Sequence, residues 1–169
     1  AYSVGGGTIL MTPEEAHAKR LPWSHLSEAE VKVLEKLAEA IVPGSSEAGV
    51  SHFVDYQLGV APDDCLLIAK YFQVPPPYLA FYQRGVAAVV RLAERDMRKD
   101  LKTLNADELH ALVAKLAQPG RKVDQVDVSL FYMCLRSDAV DVVYGTPIGI
   151  EKLDVPLMAH IMPPEGWNG

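Results

Sequence analysis

The sequence predicts an all-α protein, a bundle of five to six helices with an irregular N-terminal arm and an extended, proline-rich C-terminal tail. Apolar residues repeat at helical spacing, helix caps precede several of these stretches, and no stretch shows the sustained alternation typical of strands. With 169 residues, of which 49% are hydrophobic, the chain can build one core. We expect an arm over residues 1–26, a helical domain over residues 27–145 and an apolar tail over residues 146–169.

The N-terminal arm is expected to be irregular because it contains three consecutive glycines, from Gly5 to Gly7, and Pro22. One short helix is predicted near residues 13–19. Thr12 can act as its N-cap, Pro13 suits the first helical position, and acidic residues follow in the first turn.

The first long helix is predicted to begin at Ser27 and to end at Pro43-Gly44. Ser27 and Glu30 have capping-box spacing, and apolar residues then repeat on one face opposite a charged one. A shorter helix over residues 47–58 and a helical turn or two over residues 65–72 follow. Three consecutive prolines then interrupt the chain.

The longest helix is predicted over residues 76–101, with Gly85 in its middle. Glycine costs about 1 kcal/mol relative to alanine in a helix, so we expect another helix to cross close to this position. Asn105, with Glu108 three residues later, predicts a further helix that ends before Pro119. The last helix is predicted over residues 123–144.

The C-terminal tail is rich in apolar residues, yet its prolines prevent it from forming one helix. Disordered tails are polar, so we expect this tail to lie on a surface. That surface is either the bundle of the same chain or a partner, and proline lowers the entropy cost of binding a partner. The residues expected to contact a partner, with Trp167 as the main anchor, are Tyr144, Leu157, Met158, Ile161 and Trp167.

Composition excludes several classes of function. The net charge is −6 and no basic run occurs, which argues against nucleic-acid binding. No apolar stretch approaches the roughly 20 residues that span a bilayer. The histidines are scattered without helical pair spacing, and glycine-rich phosphate loops and nucleophile elbows are absent, so we expect no metal and no cofactor in this chain. Cys65 and Cys134 are either two buried thiols or one disulfide.

One group of residues could carry chemistry. Asp138 and Asp141 lie three residues apart on the last predicted helix, and Tyr144 follows after three more. Paired carboxylates and a phenol can transfer protons. The alternative, which we favour, is a solvated helix face or a salt-bridge anchor, because no nucleophile, metal site or cofactor site accompanies these residues.

Two regions resemble the gluconate 2-dehydrogenase subunit 3 family. The N-terminal likeness is carried by SEAE, LAEAIVPG, AGV and FVD, at residues 27–30, 37–44, 48–50 and 53–55. The C-terminal likeness is carried by RSDAVD, VYG and GW, at residues 136–141, 143–145 and 166–167. The Gly-Gly-Asn segment usual in the family is replaced by residues 148–164, which indicates a divergent branch.

The resemblance implies a non-catalytic small subunit of a sugar or polyol dehydrogenase. In such complexes the large subunit, of the glucose-methanol-choline type, holds FAD, and a cytochrome c subunit often passes the electrons on. The small subunit typically carries a twin-arginine signal and takes the folded large subunit into the periplasm. The first residues, Ala1 to Ser3, are typical of a mature exported chain, although a trimmed chain would look the same. The alternative is a small helical enzyme that uses Asp138, Asp141 and Tyr144.

Overall fold

A computed structural model describes residues 2–4 and 7–146 and the single positions 149 and 153. This part of the chain contains six α-helices: α1 (Pro13–Ala18), α2 (Glu28–Ile41), α3 (Val50–Leu58), α4 (Tyr78–Leu92), α5 (Ala106–Leu116) and α6 (Val128–Tyr144). It also contains two antiparallel hairpins of very short strands, β1 (Tyr2–Val4) with β2 (Gly7–Ile9) and β3 (Lys122–Val123) with β4 (Val126–Asp127). The prediction of a mostly helical fold with five to six helices is confirmed.

Three helices begin with the caps that the sequence indicates. In each case the cap side chain accepts a hydrogen bond from the third helical residue, whose carboxylate accepts one from the backbone of the cap. The pairs are Thr12 with Glu15, Ser27 with Glu30, and Asn105 with Glu108.

The core lies where α2, α4 and α6 pack together, with α3 and α5 against α6. Gly85 of α4 lies against the Phe131 ring of α6, and a Cβ atom at Gly85 would lie within 3.0 Å of that ring. The close crossing predicted at Gly85 is therefore confirmed. Phe131 is fully buried and makes edge contacts with Phe81 and Tyr82.

The prediction of helical turns over residues 65–72 is largely wrong. Only a single 3-10 turn forms, at Ile68–Lys70. Residues 65–67 before it form no helix and residues 71–73 after it form a turn, and burial alternates, with Cys65, Leu67 and Ala69 buried and Leu66 exposed. Burial with a period of two cannot be seen in the sequence here, because nearly every residue of this stretch is apolar.

Two predicted helix boundaries also need correction. Helix α4 ends at Leu92 and continues as a π-helical turn to Met97, after which Arg98 adopts a positive φ of 55°. Helix α6 begins at Val128, because residues 122–127 form the second hairpin. Its turn consists of Asp124 and Gln125, which both have positive φ angles.

The predicted partner contacts Leu157, Met158, Ile161 and Trp167 lie outside the described residues, as does most of the expected tail. Within the described part of the chain, no helix has the length and apolar character needed to cross a membrane.

Candidate functional site

A groove of about 830 Å³ lies beside the C-terminal end of α6. Its walls come from the start of α1, the loop between α2 and α3, helix α3, the last turn of α6 and the chain beyond α6. The lining residues are Thr12, Pro13, Glu14, Pro43, Gly44, Glu47, Ala48, Phe53, Asp141, Val142, Val143, Tyr144, Thr146, Gly149 and Leu153.

Two glycines shape the wall formed by the α2–α3 loop. Gly44 and Gly49 have φ angles of +88° and +81°, which other residues rarely adopt. Gly49 also packs so closely on the backbone of Pro13 that any side chain there would collide with it. The start of helix α1 is therefore packed directly against the loop, and residues from both line the groove.

The floor of the groove is mainly apolar and its rim is acidic. Glu14, Glu47 and Asp141 are exposed carboxylates on the rim. None of these three side chains forms an ion pair or hydrogen bond within residues 2–4 and 7–146. The groove therefore offers apolar contact area together with negative charge that no cationic side chain among the described residues neutralises.

Tyr144 lines this groove and is half-buried, whereas Asp138 does not line it. Asp138 is fully buried, and its carboxylate accepts hydrogen bonds from the Ile68 backbone N–H (3.0 Å) and from the Tyr82 hydroxyl. Burial, with a smaller contribution from the Asp141 charge, raises the pKa of Asp138 to about 7 against the lowering effect of these bonds. The pKa of Tyr82 is raised well above its usual value, chiefly by burial.

The structure corrects the interpretation of Asp138 as part of a solvated face or a salt-bridge anchor. It has no exposed surface, and no cationic side chain in the described part of the chain pairs with it. Asp141 is exposed, so the two carboxylates do not share one accessible surface. A proton-transfer site made of Asp138, Asp141 and Tyr144 would need Asp138 to reach solvent, and this conformation does not allow that.

A second buried carboxylate, Asp55, was missed by sequence reasoning. Its oxygens accept hydrogen bonds from the backbone N–H groups of Ser24 (2.7 Å), His25 (2.8 Å) and Leu26 (2.8 Å). These residues lead directly into the cap of α2. Asp55 lies in the FVD motif but could not be distinguished there from an ordinary surface aspartate of a helix.

Cys65 and Cys134 are both buried free thiols. This arrangement agrees with the first of the two alternatives that the sequence left open. Burial raises the pKa of both, to about 12 for Cys134, so neither is expected to be a reactive thiolate.

A separate aromatic cluster lies beneath β1. His52 is almost fully buried, and its ring lies near those of His17, Trp23 and Tyr2, at centroid distances of 5.3 to 6.4 Å. Burial lowers the pKa of His52, which favours the neutral ring. No group of residues suited to holding a metal occurs in the part of the chain that the structure describes.

A search of curated proteins and a search of solved structures each return no match. The sequence pattern of one family, Gluconate 2-dehydrogenase subunit 3, matches residues 28–159, which is well over half of the chain. The match spans the α2–α3 loop and the end of α6, so most of the groove lies within it. The chain therefore belongs to the gluconate 2-dehydrogenase subunit 3 family.

Proposed function

We propose that this chain is the non-catalytic small subunit of a dehydrogenase complex that oxidises a sugar or polyol. It binds and stabilises a larger catalytic subunit of the glucose-methanol-choline type, which holds the FAD. It also accompanies this folded subunit through twin-arginine export to the periplasm, where a cytochrome c subunit accepts the electrons. Membership of a family described as a dehydrogenase subunit supports the proposal.

The observation that carries the proposal is the groove beside α6. An apolar floor loses unfavourable contact with water when a partner covers it, and unpaired carboxylates on the rim favour a partner surface that carries lysine or arginine. We therefore infer that the catalytic subunit contacts the groove through a segment that combines apolar and basic residues.

The charge of the tail also supports the proposal that the tail binds a partner and does not pack on its own helices. Beyond Leu153, which lines the groove, residues 154–169 contain two acidic residues and no lysine or arginine. This segment carries excess negative charge and therefore fits poorly on the acidic rim formed by Glu14, Glu47 and Asp141. We propose that the tail binds the catalytic subunit through Leu157, Met158, Ile161 and Trp167, next to the contact made by Tyr144.

The test is co-purification of the catalytic subunit from the native host with a tagged form of this chain. The wild-type preparation should be yellow with flavin, while this chain alone should be colourless and inactive in dye-linked sugar oxidation. Recovery of the wild-type chain without a flavoprotein would refute the proposal.

Variants then locate the contact. Leu153 is 50% exposed at the groove, and Leu66 is 58% exposed elsewhere, so L153D and L66D form a matched pair. L153D should reduce the amount of bound catalytic subunit by about tenfold, corresponding to roughly 1.4 kcal/mol, and L66D should leave it unchanged. Equal losses from both variants would contradict the assignment of the groove.

Charge reversal tests the acidic rim in the same assay. E47K should weaken binding, whereas D64K, at an exposed position outside the groove, should not. Binding should also weaken as salt is raised, because exposed charges are screened. For export, both subunits should remain in the cytoplasm of cells that lack the twin-arginine translocase, and periplasmic flavoprotein in such cells would contradict the export role.

A further inference from the structure

The connection between α3 and α4, residues 59–77, is held to the core by few polar contacts. Gln57 of α3 accepts a hydrogen bond from the Leu66 N–H through its side-chain oxygen (2.9 Å). Asp138 of α6 accepts one from the Ile68 N–H (3.0 Å). Cys65, Leu67, Ala69 and Val74 supply buried apolar contacts, while Leu66, Tyr71 and Phe72 are exposed.

Asp138 is the point at which three elements meet. One carboxylate oxygen binds the α3–α4 connection and the other binds the Tyr82 hydroxyl of α4, while the residue itself belongs to α6. Around it, the titratable neighbours are Tyr82 from α4, Cys65 from the connection, and Cys134 and Asp141 from α6. Each of these is neutral or negative near neutral pH, so within the described residues no cationic side chain compensates a charge on Asp138, and its two hydrogen bonds do so only in part.

An uncompensated carboxylate in the core is costly, and it can become hydrated in two ways. The whole domain can unfold, or the α3–α4 connection, which is held to Asp138 by one backbone hydrogen bond, can move away. The α3–α4 connection contributes a single short 3-10 turn, which makes it the element with the least internal structure around Asp138.

We propose that ionisation of Asp138 controls whether the α3–α4 connection stays packed on the core. The neutral carboxyl keeps residues 59–77 attached, and the carboxylate releases them. The proposal concerns the chain itself and does not depend on the catalytic subunit. Protonated Asp138 still accepts the Ile68 N–H and bonds to Tyr82, so attachment needs no charge.

The pH dependence of release follows from the pKa of Asp138, which is about 7 while the connection is attached (the closed state) and 3.8 when the side chain is hydrated after release (the open state). Between about pH 5 and about pH 8 the equilibrium for opening should then rise on the order of a hundredfold. The sign follows from the raised pKa: the closed state binds the proton more tightly, so attachment weakens as the pH increases.

Cys65 provides the readout, because it is fully buried and lies on the connection. We would measure the labelling of Cys65 in the native, full-length chain by a thiol reagent, with mass spectrometry to separate it from Cys134. At each pH, the labelling rate of Cys65 in the native chain is divided by its rate in the urea-unfolded chain. This correction removes the change in intrinsic thiol reactivity with pH. The corrected rate should rise about a hundredfold over this range in the wild type.

Two variants serve as controls. D138N keeps a side chain of the same shape that cannot ionise, so its corrected rate should be independent of pH. Q57A removes the uncharged attachment at Leu66, so it should label faster at every pH while keeping the pH ratio of the wild type. A wild-type rate that does not depend on pH, or a D138N rate that rises as the wild type does, would overturn the proposal.

Low urea separates local release from global unfolding. Labelling through release of the connection should change little with sub-denaturing urea, whereas labelling through unfolding should accelerate steeply. A steep urea dependence of Cys65 labelling would therefore contradict local release of the connection. If D138N does not fold, NMR titration of the Asp138 carboxyl carbon in the wild type decides the matter, since a midpoint near 3.8 would exclude the mechanism.

Discussion

We predict that adding a side chain at Gly85, where α4 and α6 cross closely, lowers the free energy of unfolding. In G85A the new Cβ atom would lie within 3.0 Å of three ring atoms of Phe131. Phe131 cannot move aside easily, because it is fully buried and its ring is flanked by Phe81 and Tyr82, each with its centroid 6.0 Å away. The substitution therefore forces either the ring from its rotamer or the helices apart.

Two opposing terms set the magnitude. Alanine improves the intrinsic helix propensity by about 1 kcal/mol, while overpacking of a well-packed core typically costs about 1–3 kcal/mol and sometimes more. Because the ring is fully buried and two aromatic rings pack against it, we expect a steric cost near the upper end of this range, so that G85A loses roughly 1–2 kcal/mol of unfolding free energy. For a chain of this size that corresponds to a decrease in Tm of roughly 2 to 8 °C.

Urea unfolding followed by circular dichroism measures the loss, and a double-mutant cycle identifies its cause. F131L makes space for the added methyl group, so G85A/F131L should be more stable than the sum of the single variants indicates, by about 1 kcal/mol. If G85A is as stable as the wild type or more stable, helix propensity outweighs the contact and the close crossing is wrong. Strict additivity in the cycle would show that the cost of G85A arises elsewhere.

Three further predictions rest on other buried or terminal features. D55A leaves the N–H groups of Ser24 to Leu26 without their acceptor, so urea unfolding should show a loss of roughly 3 kcal/mol or more, while D55N, which retains one acceptor oxygen, should lose less. The raised pKa of Asp138 makes the wild type lose stability as the pH rises. From about pH 5 to about pH 8 the unfolding free energy of D138N should therefore increase relative to that of the wild type by roughly 2–3 kcal/mol. A difference between the two proteins that does not change with pH would contradict this. Deletion of residues 154–169 should leave helical circular dichroism nearly unchanged and abolish co-purification of the catalytic subunit, whereas unfolding of the truncated chain would place the tail in its own core.

Much of the fold could be predicted because its signals are local. The caps at Ser27 and Asn105 and the apolar repeats behind them depend on residues three or four apart. The crossing at Gly85 could be predicted because glycine weakens a helix interior, so its presence in a long helix favours a position where a second helix approaches closely. Helix existence and helix starts were therefore correct for α1, α2 and α5.

The errors occur where distant residues decide the structure. The hairpin before α6 turns at Asp124-Gln125, which lacks the Asn-Gly or Asp-Gly pair that normally marks such turns. The end of α4 is fixed by Asp96, which pairs with Lys115 and Arg121 from later in the chain. Such pairs cannot be recognised from a single sequence.

The candidate site was predicted only in part, for the same reason. Tyr144, which was predicted to contact a partner, lines the groove, but the sequence did not indicate the close packing of Gly49 on Pro13, a contact between separate elements. The buried role of Asp138 required its partner Tyr82, which is 56 positions away. The spacing of Asp138 along its helix indicated a candidate for proton transfer, whereas the fold buries its side chain away from solvent.

The positions of Asp55 and Asp138 bear on what the two likenesses to the family mean. Both carboxylates belong to the motifs that carry the likeness, and both are buried acceptors of backbone N–H groups from connecting segments. Asp55 fixes the approach to α2, and Asp138 fixes the connection before α4. Asp138, which was considered for chemistry, therefore holds the scaffold as Asp55 does, whereas the groove and the exposed carboxylates around it are accessible to a partner. A subunit whose motif residues set the shape of its surface is suited to recognising a partner, which is why variants at Leu153 and Glu47 test function while variants at Asp55 and Asp138 test the fold.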